Sequence, residues 1–125
     1  MGDVKSYFFD SYALIELFKG NKKYESYKTT KIVTSYFHLY EIYYSLLREH
    51  SESEFIYFFY FLQNFCIELK FNWIIKASKF KQEYKNRQLS YANCLGYIIS
   101  RELNIKFLTG DKEFEDLPNV EFIKK

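Results

Sequence analysis

The sequence has one proline, four glycines and two cysteines, and each scarcity narrows what the chain can be. The glycines are scattered, which leaves no glycine-rich loop to cradle a phosphate. Cys66 and Cys94 form no C-x-x-C pair and have no histidine spacing suited to zinc. They read as reduced, buried thiols. Long apolar runs are missing too: the longest, Phe55 to Leu62, is too short to span a bilayer. Neither sign of charge dominates, with 18 basic and 16 acidic residues and a net charge of +2, so any affinity for nucleic acid must come from local segregation of charge. Residues 1–5 lead straight into a strand pattern with no leader. No linker, repeat or low-complexity segment interrupts the 125 residues, which fit one domain, 1–125. A soluble, cytoplasmic protein that does not enter a membrane is expected.

Aromatic residues are what the chain has in excess. Thirteen tyrosines, fourteen phenylalanines and one tryptophan make up 22% of it, within an ordinary 48% apolar and 27% charged composition. Much of that tyrosine must be partly exposed, where it serves packing, a subunit contact or base stacking.

The organising stretch is Lys106-Phe107-Leu108-Thr109-Gly110-Asp111-Lys112-Glu113-Phe114. A short apolar run, a Thr-Gly turn and a carboxylate are how an interior parallel strand ends in an α/β protein, and that edge is where open α/β sheets bind ligands. The N-terminus repeats the arrangement, with Ser6-Tyr7-Phe8-Phe9 followed by Asp10 and a helical pattern from Ser11 to Phe18 that Gly20 and Asn21 stop. Further strands are predicted at Ile32–Thr34 and Val120–Ile123, and the alternation over Cys66–Phe71 suggests another. Helices are predicted at Tyr36–Arg48, about 52–64, from Asn72 to about Lys85, and from Ser90 to near Leu103 with Asn104 as its C-cap. The polar stretch from Lys22 to Lys31 reads as a short helix and connection. Strands separated by helices imply an α/β fold with a parallel sheet of about five strands covered on both faces.

Four positions carry chemistry in this arrangement. Asp10 follows a strand and precedes a helix, so taken alone a simple N-cap is the plainer explanation. Asp111 after Gly110 is equally at home as a turn or cap residue. Glu41 is more informative, because on its helix only His38 among the residues three and four positions away can assist its charge. A carboxylate on so apolar a helix is either costly or bound to something. Ser90 as N-cap puts Asn93 at the third helical position, where its polar side chain would point out of the sheet's edge into the same pocket; assisting the cap explains it equally well.

These residues resemble the PIN-domain nucleases, in particular the VapC-like toxins of type II toxin–antitoxin systems. The similarity runs through Tyr7-Phe8-Phe9-Asp10-Ser11, Ser35-Tyr36-Phe37-His38-Leu39-Tyr40-Glu41, Leu89-Ser90-Tyr91-Ala92-Asn93-Cys94 and Leu108-Thr109-Gly110-Asp111-Lys112-Glu113-Phe114, and so covers essentially the whole chain. The resemblance implies a single PIN-like domain that cuts RNA with Mg²⁺ or Mn²⁺ held at Asp10, Glu41, Asp111 and position 93. Asn93 departs from the family's Asp. Its amide oxygen can still coordinate a metal ion while its NH₂ group donates, so weaker metal binding and depressed cleavage are expected. Thr109 and Ser11 are expected to support the ligands from behind. The resemblance also implies a cognate VapB-like antitoxin and a homodimer.

Between Lys70 and Arg87 six basic residues face one acid, and Lys79, Lys81 and Arg87 are candidates for the RNA-binding rim, with a merely solvated helix face as the plainer alternative. Part of the aromatic run Phe55–Leu62 exceeds what one helical face needs and suits an antitoxin helix or a dimer contact. Two other functions stay open: an RNA-processing PIN nuclease without antitoxin, and a catalytically impaired module that binds RNA or protein. The nuclease reading requires Asp10, Glu41 and Asp111 to meet in space.

Overall fold

The structure is a computed structural model and describes residues 4–125. Residues 1–3, which begin the stretch expected to hold no leader, lie outside the described residues. In chain order the elements are β1 (Ser6–Phe9), α1 (Ser11–Phe18), a 3-10 segment (Lys22–Thr29), β2 (Lys31–Val33), α2 (Tyr36–Leu47) and α3 (Glu52–Gln63). Then follow α4 (Phe71–Glu83), α5 (Tyr91–Glu102), β3 (Lys106–Thr109), a 3-10 turn (Lys112–Phe114) and β4 (Val120–Phe122). The strands form one parallel sheet in the order β2-β1-β3-β4.

Alternate residues of each strand feed opposite cores, as the pleat demands. Phe8, Val33 and Phe107 pack on one face against Trp73, Ala77 and Phe80 of α4 and Leu95, Tyr97 and Ile99 of α5. Tyr7, Phe9, Ile32 and Leu108 pack on the other against Leu14 of α1, Leu39, Ile42 and Leu46 of α2, and Phe55 and Leu62 of α3. A sheet covered on both faces explains why the strands read as unbroken apolar runs.

The sheet has four strands rather than about five. Over Cys66–Phe71 the only ladder contact is an isolated parallel bridge, Thr34↔Cys66. Thr34 donates to the Phe65 carbonyl at 3.0 Å and accepts from the Ile67 amide at 3.0 Å, and pairing stops there. The reason is local: β2 ends at Val33, Ser35 already caps α2, and Phe71 already belongs to α4, so no partner backbone remains beyond Thr34.

Helix ends follow the sequence signals. Asn104 adopts a left-handed φ of 56° just after α5, the position where Gly or Asn ends a helix most easily. Gly96 lies where an added Cβ would stand 2.7 Å from Phe8 Cε1 and 2.9 Å from Phe107 Cε1, so its missing side chain lets α5 sit directly on β1 and β3. α5 feeds β3 and runs antiparallel to it. Its first turn, with Asn93, therefore stands at the carboxyl edge of the sheet, beside the ends of β1 and β3.

Candidate metal centre

Asp10 comes straight off β1 and caps α1. One carboxylate oxygen accepts from the Ala13 amide at 2.7 Å, and the other accepts from the Thr109 hydroxyl. The residue is fully buried. Burial pushes its pKa up to about 7 against the lowering effect of those two hydrogen bonds, and the charges of Asp111 and then Glu41 add to the rise.

Asp111 lies two residues beyond the end of β3, after Gly110, and caps the following 3-10 turn, accepting from the Glu113 amide at 3.0 Å. Its own amide donates to Thr109 Oγ1 at 3.0 Å. One hydroxyl thus joins the two acids, donating to Asp10 and accepting from Asp111.

Asn93 stands where its cap requires. Ser90 Oγ accepts the Asn93 amide at 3.0 Å, and Asn93 Nδ2 reaches Asp111 Oδ2 at 3.2 Å. A carboxylate only accepts, so the amide must turn its NH₂ group toward it. Glu41 is half-buried on α2 and acts on Asp10 through its charge, with no hydrogen bond between them. Asp10, Asp111 and Asn93 are therefore gathered at one sheet edge, and Glu41 lies close enough to be felt. Among the described residues, no three His, Cys, Asp or Glu side chains are grouped closely enough to hold an ion as they stand. In kind, oxygen donors from two strand ends and one helix suit a hard divalent cation.

Around the acids, several polar groups are buried without partners among the described residues: Ser11 Oγ, Tyr24 Oη and Thr34 Oγ1. Ser11, expected to support a ligand from behind, makes no such hydrogen bond. His38 is neutral: burial lowers its pKa to about 4, and Nδ1 shares a 2.7 Å hydrogen bond with Ser35 Oγ. This is the residue that sequence reasoning offered as the one aid to Glu41, and its burial removes the cationic form that would have helped.

A cavity of about 500 Å³ opens at this edge, lined by Tyr12, Asn93, Gly110, Asp111, Lys112, Phe122 and Lys125. Tyr12 lies against Gly110, where an added Cβ would meet its ring at 2.6 Å, so the glycine is what lets the ring approach the end of β3. A larger cavity, about 630 Å³, lies between α4 and α5. It is lined by Lys81 and Arg87 and holds no carboxylate, while Lys79 is exposed outside both cavities. Arg87 is already bound to Asp116 through both terminal nitrogens, at 2.7 and 2.9 Å, and to the Glu113 carbonyl at 2.6 Å. Lys81 donates to the Leu89 carbonyl. The expected basic rim is in good part a set of structural ties. Tyr12, Lys112 and Lys125 were not singled out from the sequence; adjacency to Ser11 and Asp111 marks the first two, and nothing marks Lys125.

No protein-family model matches the chain, and no curated protein matches its sequence. Solved structures do match its shape. A toxin–antitoxin complex from Klebsiella pneumoniae superimposes with a TM-score of 0.75 at 19% identity, covering 95% of this chain and 98% of that one. VapBC2 from Rickettsia felis, bound to a DNA fragment from their promoter, matches with a TM-score of 0.70 at 16% identity over 94% and 96% of the two chains. The fold is PIN-like. VapBC-1 from nontypeable Haemophilus influenzae is similar to the same extent, with a TM-score of 0.69, 15% identity and coverage of 95% and 97%. At these identities the likeness concerns the PIN-like fold alone. Among the described residues no helix is long and apolar enough to cross a membrane.

Proposed function

We propose that the chain is a metal-dependent endoribonuclease of the VapC kind, a toxin restrained by a cognate antitoxin and acting in the cytoplasm as a homodimer. The observation that carries this reading is the convergence of Asp10, Asp111 and Asn93 on one edge of a PIN-like sheet, with the charge of Glu41 reaching Asp10. These four would hold Mg²⁺ or Mn²⁺. When bound, the ion would acidify a water and offset charge developing on the phosphodiester oxygens.

The chain's own residues set the terms of that binding. Thr109 fixes the rotamer of Asp10, and its bond from the Asp111 amide fixes where the second acid begins. Asn93 offers Asp111 a donor, so turning its oxygen to an ion means giving that bond up. An Asp at this position would instead repel Asp111 until a cation entered. Asn93 therefore leaves the pair satisfied without metal and weakens the demand for it.

Partner surfaces are available. On α3 the side chains of Tyr57, Tyr60 and Phe61 are exposed and offer an apolar strip for an antitoxin helix. On α2 and α4, Tyr36, Tyr40, Phe71 and Ile74 are exposed and suit a second copy. The names of the similar structures, VapBC and toxin–antitoxin complexes, support the antitoxin as partner.

A second reading, a PIN-like module that binds without cutting, is favoured by the Asn93–Asp111 hydrogen bond. Asn93→Asp separates the two. Cleavage of single-stranded RNA with Mn²⁺ is expected to rise at least ~10-fold in the variant, the scale on which losing a group that supports a metal acts. No gain would overturn the nuclease reading and leave the binding module.

A further inference from the structure

We propose that Lys112 and Lys125 form a phosphate-binding pair on the wall of the Asp111 cavity, which takes a backbone phosphate of single-stranded RNA without a bridging metal ion. The proposal rests on the nuclease reading for its substrate class. It stands on placement, charge and size.

Placement comes from the parallel sheet. Lys112 follows Asp111 at the end of β3. The chain leaving β4 then crosses the same edge: the Ile123 amide donates to the Thr109 carbonyl at 2.9 Å, and Lys23 Nζ donates to the Lys124 carbonyl at 3.0 Å. Lys125 is thereby held against the cavity, its Nζ 5.6 Å from the centroid of the Tyr12 ring. A residue from the far end of the sequence is brought there by one backbone bond and one lysine–carbonyl bond of its neighbours and by its own cation–π contact.

The charge of the lining contradicts a purely acidic pocket. Asp111 is its single side-chain carboxylate; Lys112 and Lys125 supply two ammonium groups, and Asn93 is neutral. Neither lysine takes part in an ion pair among the described residues. They differ in this from Arg87, whose guanidinium is engaged by Asp116, and from Lys81, which is tied to Leu89. Asp111 has a donor on each oxygen already, so its charge is partly answered from within. The two ammonium groups are left to answer, and a phosphate answers them.

Size and shape select an unpaired strand. A volume of about 500 Å³ admits a nucleotide and excludes a duplex. Tyr12 and Phe122 on the same walls give the sugar and base aromatic surface to lie against.

The test is fluorescence anisotropy of a labelled, uncleavable 2′-O-methyl RNA oligonucleotide, titrated with the full chain in EDTA across a range of KCl concentrations. The wild type is expected to bind without divalent ions. In Lys112→Ala/Lys125→Ala the slope of log K against log salt should become shallower by about 1.4, at ~0.7 per lost contact to a single strand. Lys112→Arg/Lys125→Arg should restore the slope, and Lys5→Ala, exposed just before β1 at the opposite edge of the sheet, should leave it unchanged. A double-alanine variant that binds with the wild-type slope overturns the proposal, as does binding that appears only when Mn²⁺ is added. If Asn93→Asp cleaves RNA while the lysine variants bind normally, the phosphate pair fails and the nuclease reading stands. If the lysines govern binding but no variant ever cleaves, the nuclease reading fails and the pair stands.

Discussion

Asp10 and Asp111 end neighbouring parallel strands, share the hydroxyl of Thr109 and cap the helical turns that follow them, yet they occupy opposite environments. Asp10 follows its strand directly, sinks out of solvent and is driven toward its protonated form. Asp111 has Gly110 between it and the strand, and that one residue of reach carries it into the wall of the cavity. The same local pattern of apolar run, acid and helix thus yields one carboxylate that the fold conceals and one that it presents. Burial, which no motif encodes, decides between them. Asp10 is a costly buried group, and Asp111 is the one the cavity exposes.

The largest expected effect is on the buried side of this comparison. Raising Asp10 from 3.8 to about 7 is a differential interaction on the order of 4 kcal/mol. Its folded pKa lies above the unfolded one, so stability is full below about pH 4, falls as pH rises toward 7 and levels off beyond. His38 runs the other way. Its pKa drops from 6.5 to about 4, so its contribution is full above pH 6.5 and is lost as pH falls to 4. In the wild type the two slopes oppose each other over most of that window. Asp10→Asn should remove the first, stabilise the protein at pH 8 by roughly 1–3 kcal/mol after allowing for the imperfect bond to Thr109, and leave a profile that only rises from pH 4 to 6.5. Urea unfolding as a function of pH reads this directly. A variant less stable than wild type at pH 8 would mean that Asp10 is not a buried liability.

Next in size is the hydroxyl that joins the two ends. Thr109→Val keeps the shape but leaves a carboxylate oxygen of Asp10 and the amide of Asp111 without their partner, at a cost of about 1–3 kcal/mol. Because that hydrogen bond lowers the pKa of Asp10, its loss should cost more at pH 8 than at pH 5. Equal losses at the two pH values, measured by thermal unfolding, would separate Thr109 from the ionisation of Asp10.

The strands, helices and caps were legible because their signals are local: apolar runs for β1 and β3, Ser35 and Ser90 as caps, Asn104 as a stop. The positions of Asp10 and Asp111 at one edge follow from parallel strands, and that of Asn93 from a helix that runs antiparallel to the strand it feeds. Cys66–Phe71 was misread because alternation signals a surface that could pair, while pairing needs partner backbone that β2 no longer has. Lys79, Lys81 and Arg87 shared a charge in sequence but not a role, since Asp116 and the Leu89 carbonyl claim two of them in space. Lys125 was invisible for the converse reason. Its place depends on Lys23 and Thr109, two contacts distant along the chain.

The smallest effect on stability is expected on the presented side, and it sharpens the contrast most. Asp111→Asn keeps an acceptor for the Glu113 amide, and the half-buried side chain can adjust beside Asn93. Unfolding free energy should therefore change by no more than about 0.5 kcal/mol, as for substitutions away from the core. Function should respond out of proportion. Introduced together with Asn93→Asp, the change should abolish most of the Mn²⁺-dependent RNA cleavage gained by that variant, and should also remove the rise in melting temperature that saturating Mn²⁺ gives, on the order of 2.7 kcal/mol at a hundredfold excess over Kd. Melting curves with and without Mn²⁺, run beside the cleavage assay, settle the matter. If Asp111→Asn lowers metal-free stability by several kcal/mol, the residue is as structural as Asp10 and the division between a concealed and a presented carboxylate collapses.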